Sequence, residues 1–229
     1  MDSQLTLSEE FVLLSLDKRL HRFKINFRTY QETYTAGIVF IELLLDNWIR
    51  LDEKGRVQIS KDGDSGIPYL DLVLHEVGKA SRPKTLKKWV KYFYSRKKRL
   101  HAIFNSVVEG LERNKAVQID KDKLLGVIPK EKLVPDNSQI DLVIERIRAE
   151  LLEKGKVEHQ TIALCFLLAK LKLLRSYFSK HEEKRLKERL EQLQKENPDE
   201  LKWVQSVRRA VDDLDAALAT TIGGAVVTP

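Results

Sequence analysis

The residues of this 229-residue chain best equipped for chemistry are cations. Lys79, Arg82, Lys84, Lys87, Lys88, Lys91, Arg96, Lys97, Lys98 and Arg99 fall in one stretch, and no Asp or Glu stands between Glu76 and Glu109. Such a run binds anions. The whole chain carries a net charge of +7, so these ten charges outweigh it and leave the remainder slightly acidic. The implied feature is a local cationic surface, suited to phosphate-bearing lipid headgroups or to nucleic acid.

Covalent and metal chemistry have less to work with. His21, His75, His101, His159 and His181 are scattered, without H-E-x-x-H spacing, and read as surface or capping residues. Cys165, the only cysteine, sits in the apolar run 162–169 with no cation beside it, which describes a buried inert thiol rather than a nucleophile. One cysteine also forbids an intramolecular disulfide, in keeping with a reducing, cytosolic compartment. Asp62-Gly63-Asp64 begins like a calcium loop, but Val73 stands where the closing carboxylate belongs, so a solvated turn is expected. Gly155-Lys156 lacks the upstream glycines of a phosphate-cradling loop. These absences describe a non-enzymatic protein without catalytic residues, cofactor or metal.

The N-terminus, Met1-Asp2-Ser3-Gln4, has neither the basic nor the apolar region of a signal peptide, and no uncharged apolar run approaches the roughly 20 residues that cross a bilayer. A membrane partner would be met from the cytoplasm, peripherally.

The elements that must position the cations follow from periodicity. Leu86, Trp89, Val90 and Phe93 recur at helical spacing, so a helix with one buried face carries Lys84, Lys87, Lys88 and Lys91 outward. A second helix over 96–114 buries Leu100, Ile103, Phe104, Val107, Val108 and Leu111, with Arg96, Lys97, Lys98 and Arg99 at its start. Upstream, Thr6 and Glu9 have capping-box spacing before a buried helix. Residues 20–27 alternate as a short strand, and 33–47 form the most apolar helix. Asp52-Glu53-Lys54-Gly55 turns a hairpin between 48–51 and 56–59, and 67–77 form a helix with Leu70, Val73, Leu74 and Val77 inward.

Residues 116–119 make a short strand, after which Leu124, Leu125, Val127 and Ile128 occupy a turn around Gly126, flanked by Lys121, Lys123, Lys130 and Lys132. Loop tips are ordinarily polar. Apolar residues ringed by lysines suit an interfacial membrane contact, whereas the plain alternative folds them back onto the core. Downstream, 140–155 and 161–178 read as helices, the latter fully buried through Leu164, Leu168 and Leu171. Residues 182–196 form a solvated, mixed-charge helix, 201–218 a closing one, and 220–229 a frayed tail. The expected fold is mainly α: one globular helical domain over 5–219 with short β-hairpins, one protruding with an apolar tip.

The segment Leu5-Thr6-Leu7-Ser8-Glu9-Glu10-Phe11-Val12-Leu13-Leu14-Ser15-Leu16-Asp17, with Ala36-Gly37, Ile41-Glu42-Leu43 and Ile49-Arg50-Leu51, resembles the Golgi phosphoprotein 3 family. The resemblance is spread over most of the chain and is strongest up to Leu51. It implies a mostly helical domain with a protruding apolar hairpin, and peripheral membrane binding through phosphatidylinositol 4-phosphate in the eukaryotic members. It also favours the membrane role for Leu124, Leu125, Val127 and Ile128.

Those members hold the headgroup with a tryptophan and several arginines. Aligned on Ile41-Glu42-Leu43, Phe27 takes the tryptophan position, Ala36 stands where an arginine belongs, and His101 and Phe104 hold the central-helix arginine positions. The pocket is thus not preserved as such, and Arg28, Arg96, Lys97, Lys98 and Arg99 are the nearest substitutes. The chain begins almost at the first family helix, without the basic arm that engages the vesicle coat, so a prokaryotic-type relative with a bulk anionic phospholipid as ligand is expected. Two competitors remain at this point. A winged-helix nucleic-acid binder should carry Arg or Lys at its hairpin tip, where this chain has Leu-Leu-Gly-Val-Ile. An adaptor would instead receive acidic peptides or cytosolic protein tails on the basic face. Oligomeric state is left open.

Overall fold

The computed structural model describes residues 4–17, 27–124, 128–153 and 156–196, together with 209, 210, 212, 213 and 216; the side chains of 27–30, 121–124, 128–131, 194 and 196 are outside that description. Helix α1 (Leu7–Ser15) starts because Thr6 and Glu9 close a reciprocal capping box: the Thr6 hydroxyl accepts from the Glu9 amide, and the Glu9 carboxylate accepts from the Thr6 amide at 3.0 Å. All nine of its residues are buried. It lies against α2 (Phe27–Leu45), α5 (Lys97–Arg113), α6 (Asn137–Leu151) and α7 (His159–Lys170). A Cβ at Gly110 of α5 would stand 2.2 Å from a Glu9 carboxylate oxygen, so the α1–α5 approach depends on a residue without a side chain.

Hairpin β1 (Ile49–Leu51) and β2 (Val57–Ile59) pairs Ile49 with Ile59 and turns where expected, with Gly55 at φ +69° and the Asp52 side chain accepting from the Lys54 and Arg56 amides. Helix α3 (Pro68–Gly78) follows and buries Leu70, Val73, Leu74 and Val77 as their spacing predicts. The segment before α4 (Leu86–Tyr94) is tied to β2, since the Val57 amide donates to the Lys84 carbonyl at 2.9 Å. Thr85 then caps α4 by accepting from the Lys88 amide. Leu86, Trp89, Val90 and Phe93 are all buried, with Phe40 of α2 6.1 Å from both the Trp89 and Phe93 rings. Truncating an aromatic buried this way costs about 3–5 kcal/mol, so the inner face of α4 is firmly seated and its cations have a fixed outer face. Only Ser95 and Arg96 separate α4 from α5.

Strands β3 (Val117–Leu124) and β4 (Ile128–Pro135) form an antiparallel hairpin, longer than the short strand at 116–119 that the sequence suggests. Burial fades outward from Val117, which is buried, to the half-buried Ile119–Leu133 pair and then to exposed Asp120 and Lys132.

Several expectations are corrected. Phe27 opens α2 instead of ending a strand, and the rest of that expected strand lies outside the described residues. The helix expected over 161–178 stops at Leu171, which is only half-buried, because Lys172 takes φ +57° and the Leu173 amide returns to the Leu168 carbonyl; a short 3₁₀ turn at Leu174–Ser176 follows. Helix α8 (Lys180–Glu196) is more than a solvated face, since it buries Leu186 and Leu190. No described helix is long and apolar enough to cross a membrane. The architecture is mainly helical with two antiparallel hairpins, as the sequence leads one to expect.

Candidate functional site

Lys88 and Lys91 project from α4 into solvent, and Arg96, Lys97, Lys98 and Arg99 are exposed around the start of α5; Lys84 and Lys87 are half-buried. The structure therefore places the sequence-predicted basic residues along α4 and around the start of α5. Two of the ten are engaged by acids from outside the acid-free run. Arg99 Nε lies 3.3 Å from the Glu76 carboxylate of α3, and Lys87 acts on the Asp213 carboxyl, whose pKa burial nevertheless raises. The other eight have no ion-pair partner among the described residues.

What holds these cations is aromatic. Arg96 lies 3.8 Å from the centre of the Tyr92 ring, Arg99 5.8 Å and Lys84 5.7 Å, while Lys84 also stands 4.4 Å over Trp89 and Lys97 3.9 Å over Tyr94. A ring attracts a cation without cancelling its charge, so the side chain is placed and remains available to an outside anion. Tyr92 is itself anchored: its hydroxyl donates to Glu76 and accepts from Arg99 NH1 at 2.8 Å. Burial and the Glu76 carboxylate raise the Tyr92 pKa, so the phenol stays neutral and keeps its donor. Sequence reading singled out the cations but neither Tyr92 nor Glu76. The available signal was the aromatic residue three or four positions before Arg96 and Lys97 on the same helical face; Lys84 and Arg99 reach Tyr92 over longer separations that spacing does not announce.

The opposite flank of α5 differs. His101 Nδ1 is 3.0 Å from the Glu32 carboxylate of α2, and Asn105 Nδ2 is 3.1 Å from His101 Nε2; a neutral ring protonated at Nδ1 satisfies both contacts. Ala36 and Phe104 are inside the core. Phe27 and Arg28 occupy the first turn of α2, one turn before Glu32, and their side chains are among those not described. Of the positions aligned with arginines, Ala36 and Phe104 are thus filled by packing, and His101 is engaged by Glu32.

The hairpin needs a correction too. Its register sets Asp120 opposite Lys132, Lys121 opposite Glu131 and Asp122 opposite Lys130. Carboxylates therefore balance the lysines flanking the tip, and the stem is nearly neutral. Leu124 pairs with Ile128 as the last rung, and Leu125 and Val127 lie outside the described residues.

Away from this surface, the motif residues of α1 build a buried polar network. The Ser8 amide donates to Glu42 at 2.8 Å, the Tyr69 hydroxyl donates to Glu42 at 2.9 Å and lies 2.6 Å from the Thr6 hydroxyl, and Glu10 pairs with Arg146 at 2.6 Å. Desolvation pushes Glu42 up to about 7 and raises Glu9 and Glu10 as well. Cys165 is fully buried and its thiol pushed up to about 12, leaving it protonated and unreactive. Among the described residues no group of His, Cys, Asp and Glu is arranged to hold a metal ion.

The described residues thus form a mainly helical domain with cations along α4 and at the start of α5, a buried carboxylate network and a long β-hairpin. The chain belongs to the Golgi phosphoprotein 3 (GPP34) family, whose model matches residues 7–214. A search of curated proteins gave no significant match.

Proposed function

We propose that this protein is a non-enzymatic, cytoplasmic protein that docks peripherally on the cytosolic face of a membrane by binding anionic lipid headgroups. The observation that carries this reading is the group of eight cations without ion-pair partners among the described residues, on and around α4 and the first turn of α5, five of them being Lys88, Lys91, Arg96, Lys97 and Lys98. Each Lys or Arg near an anionic surface contributes about 1 kcal/mol, so five suffice for reversible, salt-sensitive attachment without a dedicated pocket. The apolar tip, Leu124, Leu125, Val127 and Ile128, adds partial insertion, worth less than the roughly 1.5–3 kcal/mol per side chain of full burial. Family membership supports the same reading.

Co-sedimentation with vesicles tests it. Binding to phosphatidylcholine vesicles containing phosphatidylglycerol, weakening as salt rises, and no binding to phosphatidylcholine alone is the expected result. Equal binding to both, or to neither, removes the proposal, and tight salt-dependent binding to duplex DNA in its place turns the basic face over to nucleic acid.

A further inference from the structure

The proposed attachment leaves open whether the cations act as a diffuse field or build a place for one headgroup. Two flanks of the α5 N-terminal turn compete for that place. On the flank facing α2, Lys98 lies one turn before His101, and His101 is held by the Glu32 carboxylate at 3.0 Å. His101 is therefore already engaged within the protein. On the flank facing α3 and α4, Arg96, Arg99 and Lys84 converge within 3.8, 5.8 and 5.7 Å of the Tyr92 ring centre. Glu76 of α3, on this flank, is bound by both Arg99 and the Tyr92 hydroxyl.

Arg99 thus compensates Glu76, while Arg96 and Lys84 keep their charge. Arg96 makes only long hydrogen bonds, 3.4 Å to the Tyr92 carbonyl and 3.3 Å to the Ser95 hydroxyl, and its guanidinium lies against a ring instead of a carboxylate. A guanidinium placed in this way offers a planar donor pair to phosphate with little further loss of side-chain freedom.

We infer that the phosphate of an anionic lipid headgroup is bound on the Tyr92 flank by Arg96 and Lys84. This rests on the membrane reading above and specifies where that surface is selective.

The test is co-sedimentation with phosphatidylcholine–phosphatidylglycerol vesicles for wild type, Tyr92→Leu, Tyr92→Phe, and two charge-matched pairs, Arg96→Ala with Lys84→Ala and Lys97→Ala with Lys98→Ala. Melting temperatures verify folding. A diffuse field predicts the same loss from either pair, about 30-fold from two charges at roughly 1 kcal/mol each. The Tyr92 site predicts that the Arg96/Lys84 pair loses about tenfold more than the other pair. It also predicts that Tyr92→Leu loses about tenfold at unchanged net charge, while Tyr92→Phe, which keeps the ring, stays near wild type. Equal losses from the two pairs, or unchanged binding by Tyr92→Leu, remove the site and leave the membrane reading standing. Failure of wild type to sediment removes both. Full displacement by inorganic phosphate at constant ionic strength reassigns the site from lipid to free phosphate.

Discussion

Glu42 makes stability depend on pH in a direction unusual for a carboxylate. It is 4% exposed, accepts from the Ser8 amide and the Tyr69 hydroxyl, and has no cation against it; burial holds its pKa near 7 against 4.5 in the ordinary case. The folded state therefore holds a proton that the unfolded chain releases between pH 4.5 and 7. Where the native state binds more protons, stability falls as pH rises. A displacement of about 2.5 pH units corresponds to roughly 3 kcal/mol lost between pH 4.5 and pH 8, and Glu9 and Glu10, also raised by burial, act in the same sense. Glu182, lowered to about 2 by the Ser179 amide and Arg148, works in the opposite sense only below pH 4.5. Urea denaturation at pH 5 and pH 8 should show wild type less stable at pH 8 by a few kcal/mol. Glu42→Gln keeps one acceptor and cannot ionise, so its two midpoints should lie closer together. A wild-type protein whose stability rises from pH 5 to pH 8, or a Glu42→Gln variant with undiminished pH dependence, refutes the reasoning.

Other perturbations give equally definite outcomes. Arg146→Ala leaves Glu10, 1% exposed, without its counter-ion and should cost about 3–5 kcal/mol in the same denaturation assay. Thr6→Ala removes the α1 cap and the partner of Tyr69, a loss of about 1–2 kcal/mol. Replacing both Asp120 and Asp122 by Lys converts a balanced hairpin stem into a cationic one and should strengthen binding to phosphatidylglycerol vesicles about 30-fold, with the gain vanishing in high salt. Leu124→Asp with Leu125→Asp should reduce sedimentation at high salt, where the apolar tip dominates, while sparing any binding of acidic peptides.

Much of the helical framework was legible because burial is written in period. The inward residues of α3, α4 and α5 could be named from spacing alone, and each is buried. Helix ends were harder. Helices α2, α5 and α7 all stop on a left-handed residue, Asn47, Lys115 and Lys172, each followed by an amide that returns five residues to the helix carbonyls. Asn adopts that conformation readily and signals an end, whereas Lys does not. The break after Leu171 was therefore invisible, and the apolar run carried the expected helix too far. Buried acids were missed for the complementary reason: Glu42 looks like an ordinary helical glutamate until tertiary packing surrounds it.

The candidate surface was only half legible, because net charge is additive along a chain while its neutralisation is a matter of distance. Glu76 sits 23 residues before Arg99 and reaches it from another helix; the hairpin acids sit among the lysines and stand opposite them by register. Counting charges in windows overstated the hairpin and missed the aromatic platform under Arg96 and Lys84. The corrected distribution separates two physical contributions that the linear view merged. Cations of α4 and α5 act through a field that salt screens over about 8–10 Å, whereas a balanced hairpin can add affinity only through its apolar tip, on which salt has the opposite or no effect. Membrane attachment by the two together should therefore weaken with salt to a non-zero plateau, and the height of that plateau belongs to the tip.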